Sequence, residues 1–131
     1  MRFVVRYFPL PGHKNSMTSA LAVEAAGRQG KYWEMHNIVF ENQRDWGEKQ
    51  VPDPKIFENY AKQIGLDMNQ YSKDIASQEV KYRIERDRKT GQKLNITGTP
   101  TFFLNGKKIE NPRGYEDFKA IIQSEINQGK N

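Results

Sequence analysis

The chain has 131 residues, 36% of them hydrophobic and including seven Phe, six Tyr and two Trp, which suffices for one packed core and is short for two ordinary domains. Its 21 Lys and Arg against 16 Asp and Glu give a formal charge of +5, but the two signs interleave, so the excess reads as a solubility feature rather than a nucleic-acid footprint. Cysteine is absent, which excludes a disulfide framework, a thiolate metal site and a cysteine nucleophile together, since all three need the sulfur. No apolar run approaches the roughly 20 residues that cross a bilayer, and the opening residues lack the long apolar segment of a signal peptide. No membrane partner is expected, and the sequence assigns no compartment.

Residues 2–10 begin with Phe3-Val4-Val5-Arg6-Tyr7-Phe8, a β-branched and aromatic run that stops at Pro9 and Pro11, and predict a mostly buried strand. From Ser16 to Arg28 small and apolar residues recur at helical spacing (Met17, Ala20, Leu21, Ala25) and end in a Gly-flanked turn. A second helix is predicted over residues 31–43. There Tyr32, Met35 and Val39 share one face and Trp33, His36 and Phe40 a neighbouring one, so nearly all of it should be covered. Residues 47–54 read as a loop. Asp53-Pro54 then gives a helix-start signal ahead of Ile56, Phe57, Tyr60, Ala61 and Ile64, with Gly65 closing the helix.

Asp67 opens a short helix through Met68, Tyr71 and Ile75, and Ser77 caps a longer, highly charged one carrying Val80 and Ile84. Thr101 to Leu104, Asn105-Gly106 and Lys107 to Ile109 form the strand, turn and strand of a hairpin with a type I′ signal. Over residues 114–126 the stripe Tyr115, Phe118, Ile121, Ile122 and Ile126 predicts a final helix lying on that hairpin. The order is strand, helical block, hairpin, helix, without repeat or low-complexity segment.

That order, with four phrases, resembles the DsbA-like branch of the thioredoxin superfamily: Val5-Arg6-Tyr7-Phe8-Pro9-Leu10, the run from Ala25 to His36, Phe57-Glu58-Asn59-Tyr60-Ala61, and Gly98-Thr99-Pro100-Thr101-Phe102-Phe103. The resemblance spans essentially the whole chain as a single domain, residues 1–131. It implies an α/β, thioredoxin-like fold with a helical insertion at about residues 15–95, lacking the family's first strand and its Cys-x-x-Cys helix, as in an N-terminally truncated member. It also implies that Pro100 is cis and that the backbone beside Thr99 helps dock an extended substrate peptide. Thr99 and Pro100 are therefore the candidate binding residues, and no catalytic residue is expected. The family's activity is thiol–disulfide exchange, often outside the cytoplasm, and a chain without cysteine should be redox-inactive. The alternative is a non-catalytic peptide- or protein-binding or assembly module. A third reading, the related isomerase and glutathione-transferase kappa group, would require glutathione binding, for which no specific residue stands out.

In the thioredoxin sheet the strand missing here lies between those matching residues 2–8 and 101–104. Unpaired buried backbone groups cost about 1–3 kcal/mol each, so the two strands should pair directly or borrow a neighbour from a second copy, and a homodimer is the expected partner state. No cofactor and no metal are expected: His13 and His36 are the only imidazoles and neither sits at ligand spacing with carboxylates. His36 should have a hydrogen-bonded packing role. Lys81-Tyr82-Arg83-Ile84-Glu85-Arg86-Asp87-Arg88-Lys89 reads as a solvated helix surface with Lys81–Glu85 and Arg83–Asp87 pairs rather than a nucleic-acid groove. Asn95-Ile96-Thr97 fits a glycosylation triplet that arises often by chance. Trp33 should be core, and Trp46, in a polar stretch, should be the more exposed of the two.

Overall fold

The computed structural model describes residues 1–129. It forms two compact units, residues 1–95 and the chain from Ile96 onward. The first holds α1 (Ser16–Arg28), α2 (Tyr32–Glu41), α3 (Gln43–Trp46), α4 (Pro54–Gln63), α5 (Met68–Ala76) and α6 (Gln78–Lys93). The second holds β1 (Phe102–Leu104), β2 (Lys107–Ile109) and α7 (Tyr115–Gly129).

The small side chains of α1 explain its place at the centre of the first unit. Ala22, Ala25 and Ala26 are buried, and the absence of bulk there lets α2, α4, α5 and α6 all reach it. Met35 and Val39 of α2, Phe57, Tyr60 and Ala61 of α4, Leu66 and Tyr71 complete this core. A smaller cluster joins Ala20 to Val80 and Ile84 of α6, and Tyr7 packs against both.

The helix ends obey the local code. At the end of α1 the Lys31 N–H donates to the Ala26 carbonyl (2.9 Å) and Gly30 N–H to Gly27 (3.1 Å), the two bonds of a Schellman cap. The end of α4 repeats the pattern with Leu66 to Ala61 and Gly65 to Lys62. Asp67 then caps α5 by accepting from Gln70 N–H at 3.0 Å, and Ser77 caps α6 by accepting from Val80 N–H at 3.1 Å. Asp53 does not cap α4; its carboxylate turns to Lys49 Nζ, 2.8 Å away.

Residues 2–10 differ from expectation. They run without turn or bend but belong to no ladder among the described residues, and the sheet has two strands, not three. The physical reason lies at Tyr7, whose N–H donates to Asp87 Oδ2 of α6 at 3.2 Å, while Leu10 N–H donates to Ser16 Oγ at 2.8 Å. Helix side chains thus hold this segment where a neighbouring strand was expected. Asp87 is correspondingly buried, contacting Arg83 at 2.6 Å and Arg6 at 3.7 Å, so that face of α6 is covered, while Lys81, Tyr82, Arg86 and Lys89 stay exposed as expected. Glu85 pairs with Arg88 at 2.8 Å, and no Lys81–Glu85 pair forms among the described residues.

The two tryptophans exchange their expected roles. Trp46 is partly buried, packs on Phe57 and donates Nε1–H to the Val39 carbonyl at 3.0 Å. Trp33 is 47% exposed. A ten-residue helix offers one broad apolar stripe to a core, and α2 uses it for Met35 and Val39, leaving Trp33, His36 and Phe40 at the surface beside Glu34, Asn37 and Glu41.

In the second unit the hairpin register pairs Phe102 with Ile109, Phe103 with Lys108 and Leu104 with Lys107. Asn105 and Gly106 take φ of 48° and 80°, as the tight turn requires. Phe102 meets Phe118 of α7 edge-on, centroids 5.2 Å apart, and Asn105 Nδ2 donates to Glu125 at 3.0 Å. Tyr115 and Ile126 of the expected stripe are instead largely exposed.

Candidate functional site

The loop from Thr97 to Thr101 leads directly into β1, and the rigid hairpin fixes its far end. Thr101 Oγ1 donates to the Gly98 carbonyl at 2.6 Å, closing the loop on itself. Asn111, beyond β2, donates Nδ2–H to the Pro100 carbonyl at 2.9 Å and ties the loop to the other end of the hairpin. The Thr99–Pro100 peptide bond is cis. Thr99 and Pro100 are both exposed, and among the described residues neither the N–H nor the C=O of Thr99 enters a hydrogen bond. The two candidate residues therefore stand together on a braced, solvent-facing loop with free backbone polar groups. The loop has no side chain that could serve as nucleophile, reductant or general base beyond unactivated hydroxyls.

Asn111 is a brace the sequence did not single out. Its only local signal is the Asn111-Pro112 dipeptide, a turn mark that does not reveal which carbonyl the side chain will reach. Beside the loop, Phe103 and its register partner Lys108 both lie on the exposed side of the hairpin.

The other residues weighed as chemical groups are dispersed. His13 lies exposed in the turn before α1, and His36 sits on α2 among Tyr32, Trp33 and Phe40, its ring 4.7 Å from that of Phe40 and its Nδ1 3.3 Å from Asn37 Oδ1. Among the described residues no three His, Asp or Glu side chains converge as metal ligands. Tyr7 donates its hydroxyl to Glu24 at 2.8 Å. Burial, then the neighbouring Tyr32 and then Glu24, hold the Tyr7 phenol far above its ordinary range. Phe8 is partly buried.

The fold and this loop can be set beside known proteins. A solved thioredoxin-like oxidoreductase from Silicibacter pomeroyi DSS-3 superposes with a TM-score of 0.67 at 24% identity, over 95% of this chain and 66% of that one. At that identity the likeness establishes the thioredoxin-like fold. Among curated sequences, the Na(+)/H(+) antiporter NhaA 3 of Salinispora tropica is 31% identical over 125 residues, 95% of this chain. The Na(+)/H(+) antiporter NhaA 1 of Mycobacterium sp. (strain KMS) is 35% identical over 115 residues, 84% of this chain. The chain spans only 18% of the length of each of these antiporters, and among the described residues no helix is long and apolar enough to cross a membrane. The family model described as Thioredoxin, by contrast, matches residues 1–124 of the 131, and the chain belongs to that family.

Proposed function

We propose that this chain is a redox-inactive, peptide-binding member of the thioredoxin family, with Thr99 and Pro100 as the docking element. The observation that carries the reading is the combination at one site of a braced, exposed loop with unbonded Thr99 backbone groups and the absence of any cysteine in the sequence. Dithiol–disulfide exchange requires a thiolate to attack a disulfide sulfur, and the chain holds no thiol. Free N–H and C=O groups beside a proline on a rigid support suit an extended peptide, which can satisfy them by main-chain hydrogen bonds. We further place the chain in the DsbA-like branch, supported by the six-helix block that precedes the hairpin.

The test has two parts. Insulin reduction by dithiothreitol should proceed at the uncatalysed rate in the presence of the protein. Titration with reduced, alkylated insulin B chain should shift the amide resonances of Thr99, Thr101 and Phe102, and Asn111→Ala should weaken that binding several-fold by releasing the Pro100 carbonyl. Accelerated reduction, or binding that leaves those amides unmoved, would overturn the reading.

A further inference from the structure

We propose that the groove between the turn ahead of α1 and the middle of α6 binds a small organic monocarboxylate with an apolar body. The inference concerns the first unit alone and is independent of the Thr99–Pro100 loop.

The groove encloses about 260 Å³, below the roughly 300–1,000 Å³ of sites that take drug-sized ligands, so its occupant is small. Its rim is fixed by bonds within the chain. Pro9 and Pro11 have no N–H to offer, and Leu10 N–H is held by Ser16 Oγ at 2.8 Å. The turn is closed by His13 N–H to the Leu10 carbonyl at 3.1 Å and by Ser16 N–H to the His13 carbonyl at 3.0 Å. This is a closed turn, not a strand edge, and a surface already ordered loses little freedom when a ligand settles on it. Pro9, Leu10, Pro11 and Met17 make one side of the groove apolar. All but Pro11 are half-buried, so an apolar group laid on them is removed from water.

Lys14 and Arg88, with the His13 imidazole, supply the polar side. Arg88 Nε and Nη2 both donate to Glu85 Oε2, at 3.0 and 2.8 Å, so one edge of the guanidinium is spent on orienting it. Nη1 makes no hydrogen bond or ion pair among the described residues, which leaves the other edge of the fork to meet a second carboxylate. Lys14 Nζ likewise has no ion-pair partner among the described residues.

Glu85 lines the same groove and sets how much negative charge it accepts. Two cations against one carboxylate leave a single net positive charge with His13 neutral, which suits a monoanion and disfavours a phosphate or a second carboxylate. The lone carboxylate also makes the groove a poor seat for a cation. A neutral apolar molecule would leave the open guanidinium edge and the ammonium without partners, so the charge selects as well as the shape.

The probes are 3-phenylpropanoate, its neutral counterpart 3-phenylpropanol, and inorganic phosphate, each titrated into the intact chain and followed at the Met17 methyl and Arg88 Nε–H resonances. The expected result is saturable movement of both signals with the acid and binding of the alcohol at least about tenfold weaker, the measure of one charge-assisted hydrogen bond. Arg88→Gln should lose about as much affinity for the acid, and Lys14→Gln should lose about threefold. Lys14 is exposed and in no ion pair, so its variant reads binding without disturbing the fold. Acetyl-Gly-Gly-Phe with a free carboxyl end distinguishes the source of the ligand: tighter binding than the simple acid assigns the groove to a chain terminus, and weaker binding to a free acid. No saturable shift at Met17, equal binding of acid and alcohol, phosphate binding more tightly than the acid, or unchanged affinity in both variants would each overturn the proposal.

Discussion

Asn15 is the residue whose replacement tests the packing argument most directly. It is 1% exposed and occupies the N-cap position of α1, yet its side chain makes no capping bond. Instead Nδ2 donates to the carbonyls of Trp46 and Val51, both at 3.2 Å, and Oδ1 accepts from Asp53 N–H at 2.7 Å, so one amide pins the whole 47–53 loop. At about 1 kcal/mol net per bond, Asn15→Ala should cost about 3 kcal/mol, or a drop of about 1.5 M in the urea midpoint at a slope of about 2 kcal/mol/M. Asn15→Asp should cost more at neutral pH, because a buried carboxylate would face two carbonyl oxygens it cannot donate to. The protonated acid can donate to one of them, so its folded pKa should lie above the unfolded value of about 3.9. A raised folded pKa means the folded state holds the proton more tightly. The Asn15→Asp deficit relative to the parent should therefore be smallest below about pH 4, grow as pH rises and level off above the folded pKa, while the Asn15→Ala deficit stays flat. Urea unfolding followed by Trp46 fluorescence at several pH values reads both. An Asn15→Ala cost below about 0.5 kcal/mol, or an Asn15→Asp variant more stable than Asn15→Ala at pH 7, would refute the three-bond account.

The tryptophans make a paired prediction: Trp46→Ala should destabilise by about 3–5 kcal/mol through the vacated contact with Phe57 and the orphaned Val39 carbonyl, whereas Trp33→Gln at the surface should cost under about 1 kcal/mol, both read by thermal unfolding. Equal costs would contradict their placement. At Gly106, with φ of 80°, a Cβ would meet no atom within 4 Å, so Gly106→Ala isolates backbone strain and should cost about 1 kcal/mol; unchanged hairpin amide exchange would argue against the turn geometry.

Where local chemistry decides, the sequence was sufficient. Asp67 and Ser77 cap the helices they precede because a short polar side chain before an apolar-periodic run has an N–H within reach whatever the rest of the chain does. The Asn105-Gly106 hairpin formed in the register expected of a two-residue turn, since its two central residues must take positive φ and these two do so at little cost. The phrase Gly98-Thr99-Pro100-Thr101-Phe102-Phe103 likewise located the exposed loop, though not its brace, because Asn111 is distant in sequence and close only through the hairpin.

Where a residue's state depends on which neighbour lies beside it, the sequence pointed the wrong way. A β-branched run becomes a strand only when another strand lies beside it, and in residues 2–10 a carboxylate from α6 and a hydroxyl from α1 hold the amides instead. Local sequence pointed to Trp33 for burial and to Trp46, in its polar stretch, for exposure. Tertiary packing chose Trp46, because the Val39 carbonyl lay within reach of its indole N–H and Phe57 of its ring, and left Trp33 outside because Met35 and Val39 had already filled the face of α2 that meets α1. The absence of cysteine needs no structure at all, for no arrangement of this chain can supply a thiol that its sequence does not contain.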